Sequence, residues 1–440
     1  MKVTLIEPAM IKTEQFSEKP SWVLAPLTLA TLAGLTPPEV EVEALDDRIE
    51  EIDYDAPRDL VGISVKTFTA RRAYQIAAEF RRRGVPVILG GHHPTLIPEE
   101  AQQYADSILV GEAEGIWDVV IADAQRNKLK PRYKRETDFA FENVCVDRSV
   151  FAGKKYLPIA LVETTRGCPF ACNFCSVTTF FGRGFRHRPP HEVVREIEQL
   201  GKTSVFLVDD NIVADKAAAK ELFRALIPLN IRWISQASLT MTKDLELMRL
   251  MRESGCAGVL VGIETIDPAN LKQIRKSWNT VGIGYPAALQ VARDHGIAVV
   301  GSFILGMDGD TPESLESLLE FAIRERFFAA LFNILTPYPG TDLYQLYLER
   351  GRLIRPRWWL DPDYTYGSVV FEPNGISAIE LAHIRLKLYR RFYGLSSMAY
   401  RMLDPLANLR DPWHALTFLS MNLPAHKEEA MRFGQALGAD

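Results

Sequence analysis

Glu163-Thr164-Thr165-Arg166-Gly167-Cys168-Pro169-Phe170-Ala171-Cys172-Asn173-Phe174-Cys175 carries three of the chain's five cysteines within eight positions. It follows a β-rich run, Ile159–Glu163, which places the thiols on a loop at a strand's carboxyl end. Thiols spaced four and three residues apart converge only if the backbone wraps round a compact centre. Gly167 permits close backbone approach and Pro169 stiffens the turn. Thiolates are the usual ligands of iron–sulfur clusters, and three ligands on a four-iron cluster leave one iron open for chemistry. A structural zinc site is the competing reading; it needs a fourth ligand, for which His187 or His191 is available in sequence. The remaining thiols, Cys145 and Cys256, are isolated and read as small core residues.

Downstream of this loop, β-rich runs recur at 204–208, 231–235, 258–262, 297–305 and 331–336, with helical patterns between them. Six βα repeats over this length suit a partial α/β barrel, whose site lies at the carboxyl ends of the strands. Upstream, runs at 3–6, 40–45, 60–65, 85–89 and 107–110 alternate with helical patterns at 27–35 and 70–82, which predicts a doubly wound parallel sheet. Residues 127–157 are polar and aperiodic. After Gly351 comes an aromatic stretch with Trp358 and Trp359, then a helical pattern over 376–402. The expected organisation is α/β: a Rossmann-like domain over 1–130, a linker over 131–155, a (β/α)6 barrel over 156–345 and a small, mostly helical region over 346–440.

A net charge of −5 gives no electrostatic footprint for nucleic acid, and Arg81–Arg83 reads as a solvated helix face. No apolar run approaches the length of a transmembrane segment, and residues 1–6 read as a strand instead of a secretion signal. An odd number of clustered cysteines points to metal chemistry in a reducing cytoplasm. The segment around Trp413–Met421 reads as a docking helix or a membrane-surface contact.

Cys-x3-Cys-x2-Cys with an aromatic before the last cysteine, opening a βα barrel, resembles the radical S-adenosylmethionine superfamily. The resemblance implies a [4Fe-4S] cluster on Cys168, Cys172 and Cys175. Its open iron chelates the methionine part of S-adenosylmethionine, and reductive cleavage gives a 5′-deoxyadenosyl radical. It also implies an adenine contact at Phe174, contacts to the methionine amino group at Asp209 and Asp210, and a ribose contact at Glu264. Gln236 and Asp308 stand at strand ends as either ligands or caps. A flavodoxin- or ferredoxin-type reductant is expected as partner.

The domain before the barrel resembles the cobalamin-binding subgroup through Pro26–Leu32, Val61–Ser64, Gly90–Thr95 and Val110–Glu114. The resemblance places Ser64, Lys66, Thr67, Phe68, Gly90, Gly91, His92, Gly111 and Glu112 around cobalamin. The Asp-x-His-x-x-Gly motif that supplies a lower axial histidine is absent, so cobalt is expected without a protein histidine. Such enzymes most often methylate an unactivated carbon of a small molecule; the alternatives are oxidation, cyclisation or ring rearrangement, and outside catalysis a cobalamin or metal sensor. Trp358, Trp359, Tyr364, Tyr366 and Phe371 either suit a hydrophobic substrate or seal the third region onto the barrel.

Overall fold

The computed structural model describes residues 1–12, 23–136, 139–279 and 282–439. Strands β1 (Lys2–Glu7), β2 (Glu41–Asp46), β3 (Leu60–Ser64), β4 (Val87–Gly90), β5 (Ser107–Val110) and β6 (Arg132–Lys134) form one parallel sheet in the order β2-β1-β3-β4-β5-β6. The chain steps out from β1 to β2 and returns to β3 on the other side. That reversal opens a crevice beyond the carboxyl ends of β1 and β3. β3 is buried at every position, as a parallel strand covered on both faces must be. Helices α1 (Leu27–Leu35) and α2 (Ala70–Arg82) cover the sheet, and α2 buries Ala73, Tyr74, Ile76, Ala77 and Phe80 along one stripe. β6 falls in the stretch expected to be linker; through its pairing with β5 the sheet extends to residue 134.

The second sheet runs β7 (Ala160–Val162), β8 (Ser204–Leu207), β9 (Arg232–Ala237), β10 (Cys256–Glu264), β11 (Ala298–Leu305) and β12 (Ala329–Ile334), each parallel to the next in sequence. β7 and β12 do not pair, so the barrel is partial. An uncovered edge strand leaves backbone groups unsatisfied. Here α4 (Ala378–Phe392) covers β12 with side chains. Tyr393, just past its end, takes the Ala330 N–H at 3.2 Å and donates to Ala330 O at 2.9 Å. Tyr389 Oη accepts from Phe332 N at 3.3 Å, and Arg385 Nε donates to Phe332 O at 2.9 Å. The helical pattern expected over 376–402 breaks at Gly394 into α4 and α5 (Leu395–Met402), and α6 (Pro412–Arg432) follows.

The third region seals onto both domains. Trp358 and Trp359 are buried; Trp358 Nε1 donates to Pro337 O, and Trp359 Nε1 donates to Glu100 Oε1 of the first domain at 2.8 Å. Arg357 and His93 meet the same Glu100 carboxylate. Gly438–Ala439 adds as a parallel strand to Ile11–Lys12, tying the end of the chain to the first domain.

Candidate functional site at the joined strand ends

The cluster loop leaves β7 and runs into α3 (Ser176–Phe181), with Cys175 as the residue before the helix. Gly167 has φ +85, and a Cβ there would lie 2.2 Å from Gly184 O, so only glycine fits the fold-back. The three thiols sense one another. Burial raises the Cys168 and Cys172 thiols above the ordinary value, Cys172 to about 11, and the neighbouring cysteines add to the rise. Iron binding must displace those protons, which couples loading of the loop to pH. Among the described residues no three His, Cys, Asp or Glu side chains converge tightly enough for one metal ion. His187 and His191 are exposed on the strand and helix that follow. The donor set is all thiol, half-buried and spread, which fits a cluster and not a zinc ion.

Beside the thiols lies a pair that sequence reading missed. Lys276 Nζ sits 2.6 Å from Glu264 Oε1, with both side chains at most 10% exposed. Burial would push the Lys276 ammonium down, but Glu264 outweighs it and holds the group above its usual value. The same ammonium favours the thiolate form of Cys168 and Cys172. Glu264 reaches this position through a register shift between Gly262 and Glu264 and a left-handed backbone, φ +64. A Cβ on Gly262 would lie 2.2 Å from Glu264 Oε1 and 2.7 Å from Lys276 Nζ, so the glycine is what makes room for the pair. Phe170 and Trp278 stack over the loop at 3.6 Å.

Phe174 and Glu264 line one cavity of about 310 Å³ together with Ser302, Asn333, Tyr338, Tyr364 and Tyr366. A second cavity of similar size opens at the crevice of the first sheet. It gathers Ser64, Lys66, Gly90, Gly91, His92, Gly111 and Glu112 with Thr28 and Thr31 of α1, and on the barrel side Glu163, Arg166, Phe180 and Phe181. Seven of the nine residues expected around cobalamin therefore meet in one place.

The other two face elsewhere. Thr67 is buried against His93 Nδ1 at 3.2 Å, and Phe68 turns to the barrel, packing on Tyr338 and Trp358 in the cavity of Phe174. His92 stacks on Phe180 at 4.4 Å, and burial together with Lys66 lowers its imidazole to about 4, so it stays neutral.

Asp209 does not present its carboxylate to a ligand. It is fully buried and accepts from Thr164 N at 2.8 Å, Thr164 Oγ1 at 2.7 Å and Thr165 N at 2.5 Å, bracing the base of the cluster loop. Asp210 accepts from Gly167 N, on the cluster loop, at 3.2 Å. Gln236 is half-buried on β9 and lines neither cavity, and Asp308 is held by Arg352 at 2.7 Å, a loop anchor. Cys256 is buried as expected, but Cys145 is exposed, because the chain there crosses the surface of α1 with its carbonyl against Gly34.

Arg166, in the wall of the second cavity, ties the first domain to the barrel. Its guanidinium meets Glu112 at 2.8 Å and Glu114 at 2.6 Å from the first domain, and Glu163 at 2.9 Å from the barrel. Arg186 adds a second bond to Glu112 at 2.8 Å. Burial raises the Glu163 carboxyl, and Arg166 opposes it.

A family model for the radical SAM superfamily matches residues 162–322, and one for the B12 binding domain matches residues 31–121. Bacteriochlorophyllide d C-8(2)-methyltransferase of Chlorobaculum tepidum is 33% identical over 364 residues, covering 78% of this chain and 79% of the relative. The C-12(1)-methyltransferase of the same organism is 31% identical over 393 residues, covering 86% and 85%. Among solved structures, the cobalamin-dependent S-adenosylmethionine radical enzyme OxsB, with aqua-cobalamin and S-adenosylmethionine bound, aligns over 98% of this chain and 71% of its own at TM-score 0.64 and 14% identity, a likeness of fold. The matched models fall on the two sheets whose strand ends build the two cavities, and the chain belongs to the B12-binding radical S-adenosylmethionine enzymes.

Proposed function

We propose that this enzyme methylates an unactivated carbon of a small hydrophobic molecule, working in the cytoplasm with a flavodoxin- or ferredoxin-type reductant and associating with a membrane surface. The observation that carries the reading is the pair of cavities, one beside the cluster loop and one at the crevice of the first sheet, the latter reaching the cluster loop through Glu163 and Arg166. Its likeness to two carbon methyltransferases supports the same choice. When bound, the cluster with S-adenosylmethionine supplies hydrogen abstraction and cobalamin supplies the methyl group.

The chain's own residues supply placement. Cys168, Cys172 and Cys175 would hold the cluster, and Phe174, Asp210 and Glu264 would hold S-adenosylmethionine. Lys276 holds the Glu264 carboxylate in place through their 2.6 Å ion pair. Ser64, Lys66, Gly90, Gly91, His92, Gly111 and Glu112 would cradle cobalamin. Phe68 and Tyr338 line the barrel cavity and pack with Trp358 behind them, and this aromatic wall would keep water from the site. The barrel cavity mixes Ile304, Ile334, Leu335 and three tyrosines with Ser302, Asn333 and Arg385, a lining suited to a substrate that joins an apolar body to oxygen substituents.

The test is anaerobic reconstitution with iron, sulfide and cobalamin, then turnover with methyl-labelled S-adenosylmethionine and tetrapyrrole acceptors. The expected result is one 5′-deoxyadenosine and one S-adenosylhomocysteine for each labelled product. 5′-Deoxyadenosine with an unlabelled, altered product would instead mean oxidation or cyclisation. Uncleaved S-adenosylmethionine in the reduced protein would mean a sensor.

A further inference from the structure

Seventeen large apolar side chains are exposed among the described residues, and nine of them fall between residues 395 and 423. They are Leu395 and Tyr400 on α5, Leu403, Leu406 and Leu409 on the connection, and Leu416, Leu419, Met421 and Leu423 on α6. Leu395 is 78% exposed, Leu416 69% and Leu403 64%, values of side chains standing clear of the core. The inner faces of the same elements are well used. Arg401, Phe418 and Asn422 are fully buried, and Arg401 donates to Phe327 O, Phe328 O and Phe392 O. The elements are thus packed as they belong, and the outward leucines are a surface property and not a misplaced core face. Scattered apolar residues need no explanation, but a concentration of this kind marks an interaction site.

The charge around the patch selects the partner. Between residues 386 and 427 the basic side chains exposed at the surface are Lys387, Arg390, Arg391, Arg410 and Lys427, with Lys387 and Arg391 sharing Glu316 as partner. The acids there are Asp404, which is buried, Asp411, which caps α6, Glu428 next to Lys427, and Glu316, so surface cations outnumber surface acids five to three. This stands out in a chain whose net charge is −5. A protein partner with a matching apolar face would need no such bias, and a second copy would bring the same positive charges into contact. Leucines at a helix surface with Lys and Arg around them fit the boundary of an anionic bilayer, where apolar side chains enter the acyl region and cations meet headgroups. No helix of the described residues is long and apolar enough to cross a membrane, so the contact is peripheral.

We propose that the α5–α6 face docks the enzyme onto an anionic lipid surface. This deepens the membrane association of the proposed function by assigning it to named residues, and it fixes an orientation. His414 Nε2 meets Ala257 O, Asn408 donates to Arg326 O, and Arg410 donates to Gly296 O. Residues 257, 296 and 326 lie at the amino-terminal ends of β10, β11 and β12, opposite the cluster loop. Docking through this face holds the protein at the membrane while the mouth of the barrel stays turned away from it.

The experiment is flotation of the full-length, reconstituted enzyme with phosphatidylcholine vesicles and with vesicles containing anionic phosphatidylglycerol. The expected result is binding to the anionic vesicles that weakens as salt is raised. L416D/L423D should reduce it at least tenfold, and R410E/K427E should reduce it while leaving any binding to neutral vesicles unchanged. Both side-chain pairs are exposed, and unchanged circular dichroism and unchanged 5′-deoxyadenosine release by the same preparations verify that the variants fold. Absence of flotation, or flotation indifferent to both double variants, overturns the proposal. So does sedimentation showing a dimer that L416D/L423D dissociates, which would assign the face to a second copy. The 5′-deoxyadenosine assay reads the radical chemistry independently of the lipid result, so the two readings fail separately.

Discussion

Replacing Lys276 by methionine tests the electrostatic core of the site. The ammonium and the Glu264 carboxylate are 2.6 Å apart and buried together. At that separation an effective dielectric near 20 gives a gross attraction of about 6 kcal/mol, most of which offsets the cost of desolvating both ions. Removing one partner leaves the other charge buried and alone, so Lys276→Met should destabilise the barrel by about 3–5 kcal/mol. Adding Glu264→Gln removes the orphaned charge, and the double variant should recover all but about 1–2 kcal/mol. Anaerobic urea unfolding of the cluster-free protein, followed by far-ultraviolet circular dichroism, measures both. The ammonium also favours the thiolates, so Lys276→Met should take up iron more slowly at neutral pH and regain speed as pH rises. A cost below about 1 kcal/mol for the single variant, or no recovery in the double, would refute a buried pair isolated from water.

Other outcomes follow from the same geometry. Alanine at Cys168, Cys172 or Cys175 should bring iron content near zero and abolish 5′-deoxyadenosine release, whereas Cys145→Ala should change neither; iron assay and chromatography decide. Asp209 is pushed up to about 7 by burial against its threonine hydrogen bonds. The folded protein then holds a proton that the unfolded chain releases near its ordinary value of 3.8, so this group makes stability fall as pH rises from about 4 to 7. Asp209→Asn should remove that slope, read as the difference between the two proteins' unfolding midpoints across the window. His92, lowered to about 4, contributes in the other direction: its share of stability is present above pH 6.5 and is lost as pH falls toward 4. Arg166→Met should leave Glu112, Glu114 and Glu163 facing one another without their shared cation. Cobalamin retention on gel filtration should fall severalfold, with partial return on adding Glu163→Gln.

Much of this architecture was legible from residue order. Helices at 27–35 and 70–82 and the strand at 107–110 sit where periodicity put them, because each buries a continuous stripe or run that announces itself. β6 was not legible, since Arg132-Tyr133-Lys134 buries one side chain and pairs along one edge. The cluster thiols were legible because spacing and residue type alone carry them. Lys276 was not: in Ile274-Arg275-Lys276-Ser277-Trp278 it looks like any solvated lysine, and only the fold-back onto β10 buries it. Lys66, Thr67 and Phe68 are consecutive but point to three different places, since a short helical turn over Thr67–Thr69 rotates successive side chains away from one cavity. Asp209 and Asp210 separate for a like reason, as neighbours at a strand end face opposite sides. A buried acid following Asp209's position is the kind of residue whose partner, not its own identity, decides its task.

The hydroxyl and guanidinium groups of Tyr393, Tyr389 and Arg385 on the edge of β12 bear on how this protein can be divided. A family-model match over 162–322, with the sixth strand ending at Ile334 soon after it, invites the view of a barrel that could be lifted out through β12 and studied alone. Cut free of α4, β12 would lose the partners of four backbone groups at Ala330 and Phe332 and present a bare strand edge. Such an edge seeks another strand, and the fragment would be expected to assemble with copies of itself. Modularity in this molecule belongs to its lineage and its chemistry; as a physical object it comes in one piece.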